Sequence, residues 1–221
     1  MERRRISNIT KALEERFGIP VWNGPSNPLD SFVKTVLSQN TNDLNRDRAY
    51  ESLRKKYPSW ENVMRARAGN IAGAIRVGGL ANQKSQRIKA ILNWLKKEYG
   101  ELTLDSICEM DFDRAYERFG HLKGVGVKTL AVVLMFACGK DVFPVDTHVH
   151  RLCRRLGLVP MNVTADKTFE LMRGRVPRGK SYSLHMNMLV LGRTICHPGN
   201  PKCNECPVLN YCPFGQEKIQ E

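Results

Sequence analysis

Apolar residues recur at helical spacing along most of this 221-residue chain, and no other feature restricts its fold as strongly. Two such stripes comprise Ile88, Ile91, Leu92 and Leu95, and then Val149, Leu152, Cys153 and Leu156. Each stripe would cover one face of a helix. Asn27-Pro28 and Pro58-Ser59 are typical helix starts, and Gly100 is a typical helix end. Because no window shows sustained strand alternation, the sequence predicts an all-α protein of about ten short helices.

The charge balance indicates a polyanionic partner. Lys and Arg number 35 against 22 Asp and Glu, which gives a net charge of +13 and a pI near 9.6. An excess of this size favours nucleic acid, although heat-stable proteins also carry charge-rich surfaces. The basic tract 151–180 could follow a phosphate backbone or form a solvated helix face.

No targeting or membrane-spanning segment is predicted. The N-terminal MERRRISNIT is basic, but no apolar stretch of a secretory signal follows it. The longest apolar run, LAVVLMFAC, is too short to span a bilayer. We therefore expect a cytoplasmic protein of prokaryotic type, associated with the nucleoid.

Four cysteines near the C-terminus have the spacing of a metal centre. They are Cys196, Cys203, Cys206 and Cys212, in the pattern C-x6-C-x2-C-x5-C. Structural zinc usually takes two short Cys knuckles, whereas the separated corners of a cubane suit wider spacing. The pattern favours a [4Fe–4S] cluster over zinc, in a structural role that presents His197 and Lys202 to DNA. We expect the other cysteines, Cys108, Cys138 and Cys153, to be buried free thiols rather than disulfide partners.

The stretch HLKGVGVKTL places a glycine turn before a lysine and an apolar helix. The spacing fits neither a nucleotide P-loop nor a dinucleotide fingerprint, because Val127 separates Gly126 from Lys128 and no third glycine follows. Helices over 111–119 and 127–138 around a turn at 123–126 would form a helix–hairpin–helix. Its free backbone N–H groups could bind a DNA phosphate, although a plain helical turn is the simpler alternative.

Eighteen residues after Lys128 stands Asp146, in the segment FPVDTHVHR. Its position before an amphipathic helix makes Asp146 a helix N-cap in the simplest interpretation. The alternative is that the carboxylate faces Lys128 across a groove.

In combination these motifs resemble the endonuclease III family of the helix–hairpin–helix (HhH-GPD) DNA glycosylase superfamily. The similar segments are LKGVGVKTLAVV, VDTHVHRL, the four-cysteine pattern, LSQNTND and GGLANQKSQRI. The resemblance implies an all-α, two-domain fold. A six-helix barrel domain would span residues 25–144, with its helix–hairpin–helix at about 111–138. Residues 1–24 and 145–221 would form a helical domain with the cluster loop at 196–212.

The resemblance also implies roles for individual residues. Lys128 matches the family's catalytic lysine, and Asp146 matches its catalytic aspartate. Asn40 and Leu80 match residues that fill the gap left by a flipped-out nucleotide. The hairpin would bind DNA through Lys123, Gly124, Val125 and Gly126. The family usually has glutamine at the position of Asn40 and proline at that of Lys123.

The activity implied is that of a bifunctional DNA glycosylase and AP lyase acting as a monomer on duplex DNA. It would remove oxidised pyrimidines through a lysine Schiff base and cut the strand 3′ to the abasic site by β-elimination. Two alternatives remain open at this point: a mismatch glycosylase removing uracil or thymine opposite guanine, and a non-catalytic iron–sulfur DNA-binding protein.

Overall fold

The computed structural model describes residues 2–220, and in this range the chain is entirely helical and irregular, without β-strands. The α-helices are α1 (Glu2–Phe17), α2 (Pro28–Leu37), α3 (Asp43–Lys56), α4 (Trp60–Arg65), α5 (Ala68–Ala74), α6 (Ala81–Tyr99), α7 (Phe112–Phe119), α8 (Val127–Phe136), α9 (Thr147–Arg155), α10 (Ala165–Met172), α11 (Ser181–Thr194) and α12 (Pro213–Lys218). Short 3-10 helices occur at Arg76–Gly78, Asp105–Glu109, Cys203–Glu205 and Leu209–Tyr211. The predicted all-α class is confirmed, with more helices than the ten expected. Within residues 2–220 no helix has the length and apolar character that a bilayer crossing requires.

The predicted helix boundaries are mostly correct because they rest on side-chain caps. Asn27 caps α2 by accepting a hydrogen bond from the Asp30 N–H, and Ser59 caps α4 through Asn62. Gly100 ends α6 in the left-handed conformation, at φ 74°. The end of α8 was misplaced, since the helix stops at Phe136 rather than at residue 138, and α7 begins one residue later than predicted, after its Asp111 cap.

The chain divides into two compact units. One is contiguous, Gly24–Lys140, and holds α2 to α8. The other combines the segment before it with the segment after it, so it holds α1 and α9 to α12. The chain passes from one unit to the other between Asn23 and Gly24 and again between Lys140 and Asp141.

The contiguous unit is built around two apolar helices. α2 packs against α8, and Phe32, Val33 and Val36 of α2 are almost completely buried. α8 buries Leu130, Val133 and other residues around most of its circumference. Because both helices lack a wide polar face, they lie in the interior of the unit, and α8 therefore gives the lysine in its first turn a fixed support.

A disulfide bond overturns the expectation that Cys108 and Cys138 are free core thiols. Cys108 lies in the 3-10 helix Asp105–Glu109, and its sulfur is bonded to that of Cys138, two residues beyond α8. Both residues are half-buried. The bond closes a loop around α7, the glycine turn and α8, so the predicted DNA-binding hairpin lies inside a covalent ring. Of the three cysteines outside the C-terminal cluster, Cys153 is the one that is, as expected, a buried free thiol.

The second unit depends on α11, which packs against both α1 and α9. Ile6, Ile9 and Leu13 of α1 are buried, and they recur at helical spacing on one face. A partly buried polar contact adds to this packing, because the Ser183 hydroxyl donates a hydrogen bond to the Glu14 carboxylate at 2.5 Å. α9 follows directly from the segment that contains Asp146.

Candidate functional site

The hairpin turn, residues 121–126, connects α7 to α8. α7 begins at an Asp111 cap, and the Val125 N–H donates a hydrogen bond to the Leu122 carbonyl at 2.9 Å. Val125 is buried at 4% exposure, whereas Lys123 is exposed. The turn thus uses its valine as an anchor and leaves its backbone at the surface. The helix–hairpin–helix predicted from the sequence is present.

The two glycines of the turn are required for different physical reasons. Gly124 has φ 92°, a conformation that favours glycine, and a Cβ there would lie 2.6 Å from Cδ of Arg87. Gly126 has φ −111° and could hold a Cβ in open space. Since neither conformation nor packing within the chain requires glycine at 126, close approach of an external group is the remaining physical reason for it. No side chain caps α8, so its first N–H groups face that approach.

Lys128 is the second residue of α8, directly behind this turn. Its side chain is half-buried. Within the described part of its own unit, no carboxylate forms an ion pair with its ammonium group. The amine therefore stands beside the turn predicted to bind phosphate, without a carboxylate partner in its unit that would fix it as a structural cation.

Asp146 is both placed and constrained by α9. Its Oδ1 accepts a hydrogen bond from the Val149 N–H at 2.8 Å, so the N-cap predicted from the sequence is confirmed. The carboxyl is half-buried, and within the described part of its unit Oδ2 accepts no hydrogen bond. Capping thus orients the carboxylate through Oδ1 and leaves Oδ2 available to accept a hydrogen bond or a proton. Lys128 and Asp146 belong to different units, and a pairing between them stays a prediction.

The Asn40 loop (residues 38–42) and the Leu80 loop (residues 78–81) share an unusual backbone. Among residues 2–220, Asn40 and Leu80 are the non-glycine residues with positive φ, at 52° and 48°. The left-handed region costs an ordinary side chain about 1–2 kcal/mol. Leu80 is also 50% exposed, so burial of its side chain does not offset that cost. Strain of this kind, held at an exposed apolar residue, indicates a functional role.

A hydrogen-bonded link that the sequence did not reveal joins the Asn40 loop to the hairpin turn. The Gln39 amide donates to the Gly124 carbonyl at 3.2 Å, and the Arg87 guanidinium in turn donates to the Gln39 side-chain oxygen. Nothing in the local pattern of Gln39 or Arg87 predicts this contact, because the two residues are 48 positions apart.

Lys84 is a second residue that the sequence interpretation missed. It is completely buried, and its ammonium donates to the Leu37 carbonyl at 2.6 Å and to the Gly78 carbonyl at 2.8 Å. Burial, with a smaller contribution from the charge of Arg87, lowers the pKa of Lys84 to about 8. A signal was present, since Lys84 stands four residues before Ile88 and so continues the apolar stripe of α6.

The four clustered cysteines line one small cavity in the second unit, together with Ile195, Leu209 and Phe214. Two donors already point at the sulfurs: Arg155 Nη1 lies 3.1 Å from Cys196 Sγ, and the Gly215 N–H lies 3.3 Å from Cys212 Sγ. Burial raises the pKa of the Cys206 thiol to about 11, and a backbone hydrogen bond from Val208 opposes this. Bringing such a thiol to its thiolate form requires a positive partner.

This geometry fits an iron–sulfur cluster. Among the described residues, no three His, Cys, Asp or Glu side chains converge as a single metal ion requires. Four thiols that line one cavity suit a cubane, which takes one thiolate at each iron. Hydrogen bonds to sulfur also stabilise such clusters. Bound there, the cluster would supply covalent cross-links between segments of the loop.

Two arginines of the basic tract support the cysteine loop instead of forming a solvated face. Arg151 donates to the Gly192 and Cys196 carbonyls at 2.9 Å each. Arg155 donates to the carbonyls of His197 and Pro198 at 2.8 and 2.7 Å. Lys202 is exposed and His197 half-buried, and their contact with DNA stays a prediction.

Comparisons with known proteins agree with this fold and with an iron–sulfur loop at the four cysteines. A family model described as HhH-GPD superfamily base excision DNA repair protein matches residues 33–178, and a model of the iron–sulfur binding domain of endonuclease III matches residues 196–212. The chain therefore belongs to the HhH-GPD superfamily of base excision DNA repair proteins.

Within that superfamily, the chain is 32% identical to endonuclease III of Thermotoga maritima over 209 residues, covering 95% of this chain and 92% of the relative. A relative from Arabidopsis thaliana, whose name describes a DNA glycosylase, is 36% identical over 83% of this chain, and the chain spans 66% of that relative. The solved structure of a non-covalent endonuclease III–DNA complex shares the fold, with a TM-score of 0.84, 24% identity and 99% coverage of both chains. The chain is a member of the endonuclease III family and carries a [4Fe–4S] cluster.

Proposed function

We propose that this chain is a bifunctional DNA glycosylase and AP lyase that removes oxidised pyrimidines from duplex DNA. The observation that carries the proposal is the position of Lys128, a half-buried amine without an ion-pair partner in its unit, two residues beyond a turn whose open backbone suits a phosphate. A DNA strand held at that turn would pass beside an available nucleophile.

In the proposed reaction, Lys128 is the nucleophile and carries the covalent intermediate. The neutral amine of Lys128 attacks C1′ of a flipped-out nucleotide, and the damaged base leaves with the bonding electron pair. Opening of the sugar ring gives an imine between Lys128 and C1′, which acidifies the proton on C2′. Loss of that proton expels the 3′ phosphate by β-elimination, and hydrolysis of the imine restores the lysine.

Asp146 supports this sequence from its cap. Its Oδ1 is held by the Val149 N–H, so Oδ2 is the oxygen that would accept a proton from Lys128 or stabilise positive charge on the sugar. Asn40 and Leu80 would occupy the gap left by the flipped nucleotide. The hairpin residues Lys123 to Gly126 would hold the backbone.

The cluster has a structural task in this proposal. Cys196, Cys203, Cys206 and Cys212 would be its ligands, and the cluster would fix the loop that Arg151 and Arg155 already support. No step of the reaction passes through the iron. We further propose that the enzyme acts as a monomer, in a cytoplasm where it associates with the nucleoid. Its contiguous unit would be the barrel domain.

Borohydride trapping on a panel of duplexes tests the proposal. Wild-type protein should form a covalent adduct with abasic and thymine-glycol DNA, and Lys128→Ala should form none. Lys97→Ala serves as a control, because it removes an exposed cation of the same unit outside the hairpin turn and should still give the adduct.

The same panel separates the alternatives. Excision of uracil or thymine opposite guanine, with thymine glycol left intact, would replace the oxidised-pyrimidine assignment by a mismatch glycosylase. Nicking of abasic DNA by Lys128→Ala at the wild-type rate would sink the lyase mechanism through Lys128. A wild type that binds duplex DNA but neither excises a base nor nicks the strand would favour the non-catalytic DNA-binding role.

A further inference from the structure

The buried ammonium of Lys84 connects two loops that lie far apart in the sequence. It donates to the carbonyl of Leu37, the last residue of α2 and three positions before Asn40. It also donates to the carbonyl of Gly78, two positions before Leu80. A single charged group therefore spans the starts of the Asn40 loop and the Leu80 loop.

The carbonyls of Leu37 and Gly78 both lack a hydrogen-bond donor from their own helical segment. The last carbonyls of a helix have no following helical N–H, and Leu37 and Gly78 each end a helical segment. The backbone of Lys84 is tied to the Leu80 loop as well, because its N–H donates to the Leu80 carbonyl at 2.9 Å. Lys84 thereby contacts the Leu80 loop at two positions, Gly78 through its ammonium and Leu80 through its backbone N–H.

Burying this lysine is costly, so a purely local capping role is a weak explanation. Its side chain is 0% exposed, and desolvation is the largest cause of its lowered pKa. A neutral polar residue could cap one helix end at lower cost. What the ammonium adds is simultaneous donation in two directions, towards the two loops whose tips have strained backbones.

We propose that Lys84 is a positioning residue that holds Asn40 and Leu80 at a fixed separation, so that both can enter the gap left by a flipped nucleotide. The inference rests on the proposed function of these two residues. Lys84 does not touch DNA; it acts through the loops. Losing it would let each loop relax independently, and displacement of about 1 Å in a positioned group can reduce rates on the order of a hundredfold.

The same helix offers a matched control. Lys89, also on α6, donates to the carbonyls of Met64 and Ala66 at 2.7 Å each and so holds the end of α4. Lys84→Met and Lys89→Met each remove one ammonium that bridges two backbone carbonyls. Only the first change affects the Asn40 and Leu80 loops.

The experiment compares duplex with single-stranded abasic DNA, because a single strand has no stacked gap to fill. Single-turnover rates are measured by borohydride trapping, and folding is verified by cluster absorbance and thermal melting. Lys84→Met should lower the duplex-to-single-strand rate ratio on the order of ten- to a hundredfold, whereas Lys89→Met should leave the ratio at the wild-type value.

A double-mutant cycle provides a second readout. If Lys84 acts through Leu80, then Lys84→Met combined with Leu80→Ala should lower the ratio hardly more than Leu80→Ala alone. If Lys84→Met does not fold, Lys84→Gln replaces it, since the shorter amide keeps donors but cannot reach both carbonyls.

Two results would overturn the inference alone: a Lys84 variant that loses equal activity on both substrates, or effects of Lys84 and Leu80 that simply add. In either case the wild type still forms its adduct. A wild type that forms no adduct would overturn the proposed function and this inference with it.

Discussion

The hairpin turn and the Leu80 loop meet the same backbone demand in opposite ways. Both contain a residue with positive φ: Gly124 in the turn and Leu80 in the loop. The turn uses glycine, which adopts that conformation at little cost. The loop keeps a leucine there, half-exposed and strained. The difference indicates that the backbone is the functional part of the turn, whereas the side chain is the functional part of the loop.

The two segments also differ in how they are held. The disulfide between Cys108 and Cys138 encloses the hairpin turn, whereas hydrogen bonds from Lys84 hold the Leu80 loop. One attachment is covalent, and the other depends on a buried charge. Substitutions can therefore weaken the two independently, and the expected effects decrease in the following order.

The largest effect is expected from opening the covalent ring. Replacing Cys108 and Cys138 by serine should lower the free energy of unfolding by about 2–4 kcal/mol, because the unfolded chain regains the entropy of the closed loop. Denaturant unfolding of oxidised wild type and the double variant measures this. Hydrogen exchange should rise within 108–138 and stay unchanged at residues 78–81, and equal increases at both would contradict the comparison.

Alanine substitutions separate the two glycines of the turn. Gly124→Ala should cost about 1–2 kcal/mol of stability, because alanine is disfavoured at its positive φ. Gly126→Ala should leave the melting temperature unchanged but weaken binding to abasic DNA, since its methyl group would enter the space open to a phosphate. Equal DNA affinity of Gly126→Ala and wild type would remove the argument for close approach.

The reverse substitution tests the loop. Leu80→Gly should leave stability unchanged or raise it by less than about 1 kcal/mol, because relief of the strained backbone outweighs the entropy cost of glycine. Excision from duplex DNA should nevertheless fall about tenfold, as the loss of a filling leucine implies. Thermal melting and single-turnover rates are the measurements. A destabilised but fully active variant would show that Leu80 is structural.

The smallest effect is a dependence on pH. The pKa of Lys84 is lowered to about 8, against about 10.4 in an unfolded chain. Between these values the unfolded chain binds a proton that the folded chain has lost, so Lys84 makes stability rise with pH. Near neutral pH the folded chain has lost only part of this proton, so the expected rise between about pH 7 and 8 is a few tenths of a kcal/mol. Urea unfolding of Lys84→Met should lack it and Lys89→Met should retain it; identical slopes would contradict the assignment.

Local signals explain what the sequence could predict. The Asn27, Ser59 and Asp146 caps depend on residues three positions away or fewer, and their helices begin where predicted. The hairpin is a run of consecutive residues, and the cysteine loop is a spacing within one segment. These features need no knowledge of the tertiary fold.

The remaining features required contacts between distant segments. The pairing of Cys108 with Cys138 depends on how the hairpin folds back, and the sequence argument from the redox compartment pointed the other way. Leu80 has no propensity for positive φ, so packing around it must impose that conformation. For Lys84 the sequence did contain a signal of burial, its position on the apolar stripe of α6. Its charge, taken alone, suggested a position at the surface.

The order of segments along the chain has a consequence for biosynthesis. α1 is made before the contiguous unit, but its buried face of Ile6, Ile9 and Leu13 packs against α11, which a ribosome makes only after that unit. That unit, complete at Lys140, can fold while synthesis continues. α1 must meanwhile wait with its apolar face uncovered. Iron insertion into the cysteine loop would then be the last event of maturation. Starvation for iron should leave a protein whose hairpin is folded and whose second unit is incompletely folded.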